Sequence, residues 1–188
     1  MNKVPQPLID CVRARGFRGS GQNFRKAEAD CLLVVNFQGS QSGPRFYINL
    51  GAQPLFIPTE SNRSADPKKL KEYECVFRQR VRGGSHAWNP TSHEASALSA
   101  VFADDMDKFF GQALGFKNQV LAGNVRPLAE ELPWGVPPAR ACLHIARACR
   151  ELGLSHEAES VAELGLTLAG EPATALRGAL RQIAGGAA

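Results

Sequence analysis

Between Cys31 and Leu50, apolar and polar positions alternate with the two-residue period of a pleated strand. Cys31, Leu33, Val35 and Phe37 fall on one side of the first run, and Leu32, Val34, Asn36 and Gln38 on the other. After the turn formers from Gly39 to Pro44, Phe46, Ile48 and Leu50 repeat the apolar phase, with Tyr47 and Asn49 opposite. The pattern predicts strands over residues 31–38 and 45–51, joined as a hairpin. An edge strand is expected over 22–27 around Phe24. A fourth is expected over 73–81, where Tyr73, Cys75, Phe77 and Val81 alternate with Glu74, Val76, Arg78, Arg80 and Arg82.

Three- and four-residue spacing takes over elsewhere. Leu8, Ile9 and Val12 predict a helix over 7–15, closed by Gly16. Leu98, Val101, Phe102, Met106, Phe109, Phe110 and Leu114 form the wide apolar stripe of a helix over 91–113. A capping box of Thr91 and Glu94 opens it, and Gly115 is expected to end it. Residues 52–69, with prolines at 54, 58 and 67, read as a long irregular loop. A short helical turn is expected from Pro127 to Leu132, then a linker-like break from Pro133 to Pro138. Three helices follow over 138–152, 156–169 and 172–184. They resemble a tetratricopeptide unit only faintly, since one unit and a fragment do not make an array.

The expected class is α+β. An antiparallel sheet of about four to six strands is covered on one face by the first and the long helices. Residues 1–132 are assigned to this sheet domain and 133–188 to a C-terminal helical extension packed on it.

Composition narrows the function classes. At 188 residues, 44% apolar and 21% charged, the chain fits an ordinary folded domain with a small appendage. No apolar run reaches membrane-spanning length, and the first residues lack a secretory pattern. A cytoplasmic protein without a membrane partner is expected. The cysteines, at positions 11, 31, 75, 142 and 149, are odd in number and show no CxxC spacing, so they read as small buried hydrophobes. The net charge of +4 is unevenly spread: residues 1–82 carry 14 Lys/Arg against 7 Asp/Glu, and residues 83–188 carry 8 against 11. The basic half suits an anionic partner, although a solvated surface with scattered arginines has the same composition.

The polar strand face carries the sharpest candidate chemistry. Asparagine is a poor strand former, so Asn36 and Asn49 in otherwise strong strands ask for a reason. With antiparallel pairing, Asn36, Gln38, Tyr47 and Asn49 fall close together, and a suitable register adds Arg78 and Arg80. Guanidinium groups beside amides and a phenol suit a carboxylate or a phosphate. The bland alternative is a solvent-facing sheet surface.

Other features are weaker. His86 and His93 flank Trp88, but no zinc spacing is present and Glu94 serves the capping box, so neither metal nor cofactor is expected. Asp104, Asp105 and Asp107 read as part of a solvated helix side. Cys75 falls on the apolar phase of its strand, which argues for an inert thiol. Gly19-Ser20-Gly21 and Gly83-Gly84 lack the Lys-Ser/Thr that a phosphate loop needs. Arg13, Arg15, Arg18, Arg25 and Lys26, interleaved with Phe17 and Phe24, allow a nucleic-acid reading if those rings are exposed for stacking.

The pieces Gly16-Phe17, Phe24, Val34-Val35-Asn36-Phe37-Gln38, Phe46-Tyr47-Ile48-Asn49-Leu50-Gly51 and Cys75 with Arg78 and Arg80 stand in an order with family character. Over roughly residues 8–114 the chain resembles a mainly bacterial family called domain of unknown function 4304. The resemblance implies a small α+β domain and brings neither an activity nor catalytic residues; the region after Trp134 has no counterpart in it.

The leading expectation is a non-enzymatic binding or interaction module. Asn36, Gln38, Tyr47, Asn49, Arg78 and Arg80 would recognise an anionic ligand or a segment of a protein partner. The first alternative is an enzyme acting on a phosphate- or carboxylate-bearing small molecule, with His86, His93 or Glu74 beside Arg78. The second is a nucleic-acid-binding protein.

Overall fold

The computed structural model describes residues 3–41, 43–82, 84–131 and 135–185. The chain divides into two units, Met1–Leu114 and Gly115–Ala188. The first holds helix α1 (Gln6–Ala14) and strands β1 (Arg18–Ser20), β2 (Asn23–Glu28), β3 (Cys31–Gly39), β4 (Arg45–Pro54), β5 (Phe77–Arg80) and β6 (His86–Ala87). The boundary falls inside α2 (Ser92–Leu121). The second unit continues with α3 (Val125–Glu131), α4 (Pro138–Glu151), α5 (Ser155–Leu168) and α6 (Thr174–Ala184).

The sheet is antiparallel in the order β1-β2-β3-β4-β5, with β6 also paired to β4. Since β3 occupies one side of β4 throughout, β5 and β6 share the other. Asn49 lies opposite Arg80 and Phe46 opposite His86, so β5 and β6 follow one another along the same side of β4. Arg82 leaves the sheet there for α2. Its backbone N–H donates to Asp105 Oδ2 at 2.7 Å, and its guanidinium binds Asp105 and Asp104.

The expected α+β class holds, with one sheet face forming the main core. Phe24, Val35 and Leu50 share a row across β2, β3 and β4, and Phe37 lies opposite Ile48. All five are buried. Phe102 of α2 meets Phe37 at 6.0 Å between ring centroids, and Phe110 meets Phe17 at 5.4 Å. Arg15 clamps Asp107 with Nε–Oδ1 and Nη2–Oδ2 distances of 2.7 and 2.8 Å, tying α1 to α2.

Three local expectations change. Thr91 and Glu94 do form the capping box, with Glu94 Oε2 accepting from the Thr91 N–H at 2.8 Å. Gly115, however, does not end the helix, which runs to Leu121. The left-handed stop falls at Gly123, whose φ is +79°. Asp105 is 3% exposed rather than solvated, because Arg82 neutralises it.

The expected strand over 73–81 shortens to Phe77–Arg80, preceded by a 3-10 turn at Glu72–Glu74. The cause lies in β4. A Cβ on Gly51 would come within 2.8 Å of Cys75 Sγ and 3.0 Å of Glu72 Cα, so the bare backbone there admits the turn onto the sheet. Cys75 thus joins Leu32, Val34 and Leu70 in a second, smaller core on the opposite face. Buried Gln53 fixes the neighbouring loop: Nε2 donates to the Pro54 and Ile57 carbonyls at 2.8 and 2.9 Å, and Oε1 accepts from Val76 N–H at 3.2 Å.

In the second unit, Ala141, Cys142, Ile145, Ala148 and Cys149 are buried along α4. Gly165 of α5 allows close approach, since a Cβ there would lie 2.8 Å from Leu180 and 2.9 Å from Cys142.

Candidate functional site

Strand register brings the polar residues into one row. Asn23 lies opposite Asn36, Asn36 opposite Asn49, and Asn49 opposite Arg80, so the row crosses β2, β3, β4 and β5. Gln38 and Tyr47 form the adjacent rung. All of these side chains project from the face opposite the main phenylalanine core, as side-chain alternation requires.

The row is hydrogen-bonded in one direction. Arg80 Nε donates to Asn49 Oδ1 at 3.1 Å. Asn49 Nδ2 donates to Gln38 Oε1 at 2.9 Å and to Asn36 Oδ1 at 3.3 Å. Asn36 Nδ2 donates in turn to Asn23 Oδ1 at 3.0 Å. Amides are needed because each must accept on one side and donate on the other, which neither a carboxylate nor an aliphatic residue does. Asn49, at 9% exposure, is the buried centre; Gln38 and Arg80 are exposed at its rim. Tyr47 completes the arrangement, with the Arg80 guanidinium carbon 4.2 Å from its ring centroid.

Arg80 is therefore held twice, at Nε and over its face, while its two terminal amino groups make no hydrogen bond among the described residues. Arg78 lies one rung away, opposite Gly51. Its Nη1 reaches the Tyr73 carbonyl at 3.4 Å, and its buried Nε makes no hydrogen bond. The same face carries Arg18, Arg25 and Arg45 and no Asp or Glu at any strand position. Arg25 donates to the Leu70 and Lys69 carbonyls, and Arg45 to Ser85. Among the described residues, none of these arginines forms an ion pair.

The family comparison covers this whole arrangement. Residues 8–110 match the family described as Domain of unknown function (DUF4304). The chain belongs to that family. No curated protein and no solved structure matches. The DUF4304 segment contains most of α1, the complete sheet and most of α2, hence every residue of the amide row, while α3 to α6 lie beyond it.

Among the described residues, no hydrogen bond or ion pair joins the other candidate groups of the DUF4304 segment, His86, His93 and Glu74, to Arg78 or Arg80. His86 lies opposite Phe46 and so shares the phenylalanine side of the sheet, away from Arg78. Burial, with Arg45 adding to it, holds the His86 pKa below its ordinary value. His93 is exposed in the first turn of α2, and Glu74 accepts the Lys71 N–H at 2.8 Å. A largely apolar recess of about 460 Å³ is lined by His86, Ala97, Leu98 and Val101 together with Arg82 and Glu94. Phe17 and Phe24 are 4% and 1% exposed, so neither ring offers a base-stacking platform.

Among the described residues, no group of His, Cys, Asp and Glu has the arrangement of a metal site. Burial pushes the Cys31 and Cys149 thiols up to about 12 and Cys142 to about 11, and holds Cys75 well above its ordinary value. These thiols are poor nucleophiles at neutral pH. No helix among the described residues is long and apolar enough to cross a membrane.

Sequence reasoning missed Asn23 and the contributions of Arg18, Arg25 and Arg45. The alternating phase around Phe24 contained the signal for Asn23 and Arg25, which flank it. The antiparallel register was needed to align them with the central strands.

Proposed function

We propose that this DUF4304 protein is a non-enzymatic recognition module whose polar sheet face binds an anionic group. The observation that carries the reading is the fixed Arg80 guanidinium, steadied by Asn49 and Tyr47 and lacking a carboxylate partner among the described residues. Preorganised guanidinium donors favour carboxylate and phosphate because little side-chain freedom is lost on binding. Arg78 and the carboxylate-free strand face add positive potential.

The test is a thermal-shift titration with inorganic phosphate, citrate and succinate, repeated on Arg80→Ala. Stabilisation by at least one anion, lost in the variant and weakened by added salt, is expected. An identical response from both proteins, or none from either, refutes the reading.

A further inference from the structure

β5 ends the sheet order, so among the described residues one side of it faces no strand. The Val81 N–H donates to the Ile48 carbonyl at 3.0 Å, which fixes the alternation of backbone groups along this edge. In an antiparallel ladder, Gln79 and Phe77 then turn their backbone groups towards β4, whereas Arg78 and Arg80 turn theirs outward. Among the described residues, the outward N–H and C=O groups of Arg78 and Arg80 make no hydrogen bond to another element. The same two residues project their side chains onto the polar face. Backbone donors, backbone acceptors and guanidinium groups are thus presented together.

We infer that the outer edge of β5 receives an extended acidic segment of a partner protein, added as a further antiparallel strand with carboxylates at alternate positions facing Arg80 and Arg78. The inference rests on the reading of this face as an anion-binding surface and names its occupant. A strand added here pairs its residues with Arg78 and Arg80 at Cα separations of about 5.5 Å, with side chains on the same face. Alternation then puts carboxylates two residues apart beside the two guanidiniums. A free phosphate uses the charge but leaves the edge N–H and C=O groups unmatched. A second copy of β5 would set arginine beside arginine, which like-charge repulsion disfavours. A peptide with an Asp-x-Asp or Glu-x-Glu pattern satisfies both sets of groups.

The experiment is fluorescence anisotropy on the full chain with three labelled peptides. The first alternates Asp with Val. The second has the same composition with its aspartates in one block. The third is the alternating peptide with backbone N-methyl groups at every second residue on the pairing side. The alternating peptide is expected to bind at least about tenfold more tightly than the other two. Arg80→Ala should weaken it by about tenfold or more, and Arg80→Lys should recover only part of that loss. Unchanged melting temperatures in both variants exclude misfolding as the cause.

Equal binding of all three peptides overturns strand addition and leaves the anion reading intact. Phosphate or citrate stabilisation that depends on Arg80, with no peptide binding, also overturns this inference alone. Absence of both responses overturns both. Tighter binding of a single-stranded oligonucleotide than of the alternating peptide assigns the face to nucleic acid and overturns the protein partner.

Discussion

Arg80 lies over Tyr47, with its guanidinium carbon 4.2 Å from the ring centroid, while its Nε is held by Asn49. The two contacts constrain one side chain from different directions. One end of the guanidinium is occupied and the other is exposed, so under the proposed anion recognition Tyr47 would act through Arg80.

Replacing Tyr47 with leucine should therefore weaken anion binding without unfolding the sheet. An exposed cation–π contact is worth about 0.5–1 kcal/mol, equivalent to roughly a two- to fivefold loss of affinity. Tyr47→Phe retains the ring face and should bind almost as wild type. Anion titrations of the two variants, read by thermal shift, check the order.

Gly51→Ala should destabilise the first unit. The added methyl meets Cys75 Sγ at 2.8 Å and Glu72 Cα at 3.0 Å, and the second neighbour is backbone, which cannot rotate away. Overpacking of this kind costs about 1–3 kcal/mol. Cys75→Ala in the same chain should recover only part of the loss, because the Glu72 contact persists. Urea denaturation of the single and double variants measures both quantities.

The Arg15–Asp107 clamp gives a pH signature. Its hydrogen bond to Arg15 holds the Asp107 carboxyl below its ordinary value. A folded-state pKa below the unfolded one means that the clamp stabilises the fold above about pH 4 and loses its effect as pH falls through the lower folded value. Asp107 is exposed, so Arg15→Ala should cost only about 0.2–1 kcal/mol at pH 7. The difference from wild type should shrink steadily below pH 4, as followed by urea denaturation at a series of pH values.

Thiol labelling should single out Cys11. Cys31, Cys75, Cys142 and Cys149 are buried with raised pKa values, whereas Cys11 is half-buried. Burial raises the Cys11 pKa as well, partly offset by Arg15 nearby, so its reaction should be slow rather than absent. Mass spectrometry after mild iodoacetamide treatment at pH 8 should find the first adduct on Cys11, with the others modified only after denaturation.

Local pattern determined the class of fold and the phase of its central strands. Two-residue alternation was enough to put Asn36, Gln38, Tyr47 and Asn49 on one side of β3 and β4, because a pleated backbone turns successive side chains to opposite faces. The Thr91–Glu94 cap was legible for the same reason: its partners lie within one turn. Tertiary structure decided what depends on residues far apart in sequence. It set the register that aligns Asn23 with Arg80, shortened β5 through the contact of Cys75 with Gly51, buried Asp105 beneath Arg82, and carried α2 past Gly115. Pairing register and close packing are settled by which surfaces meet, and no short window of sequence contains both.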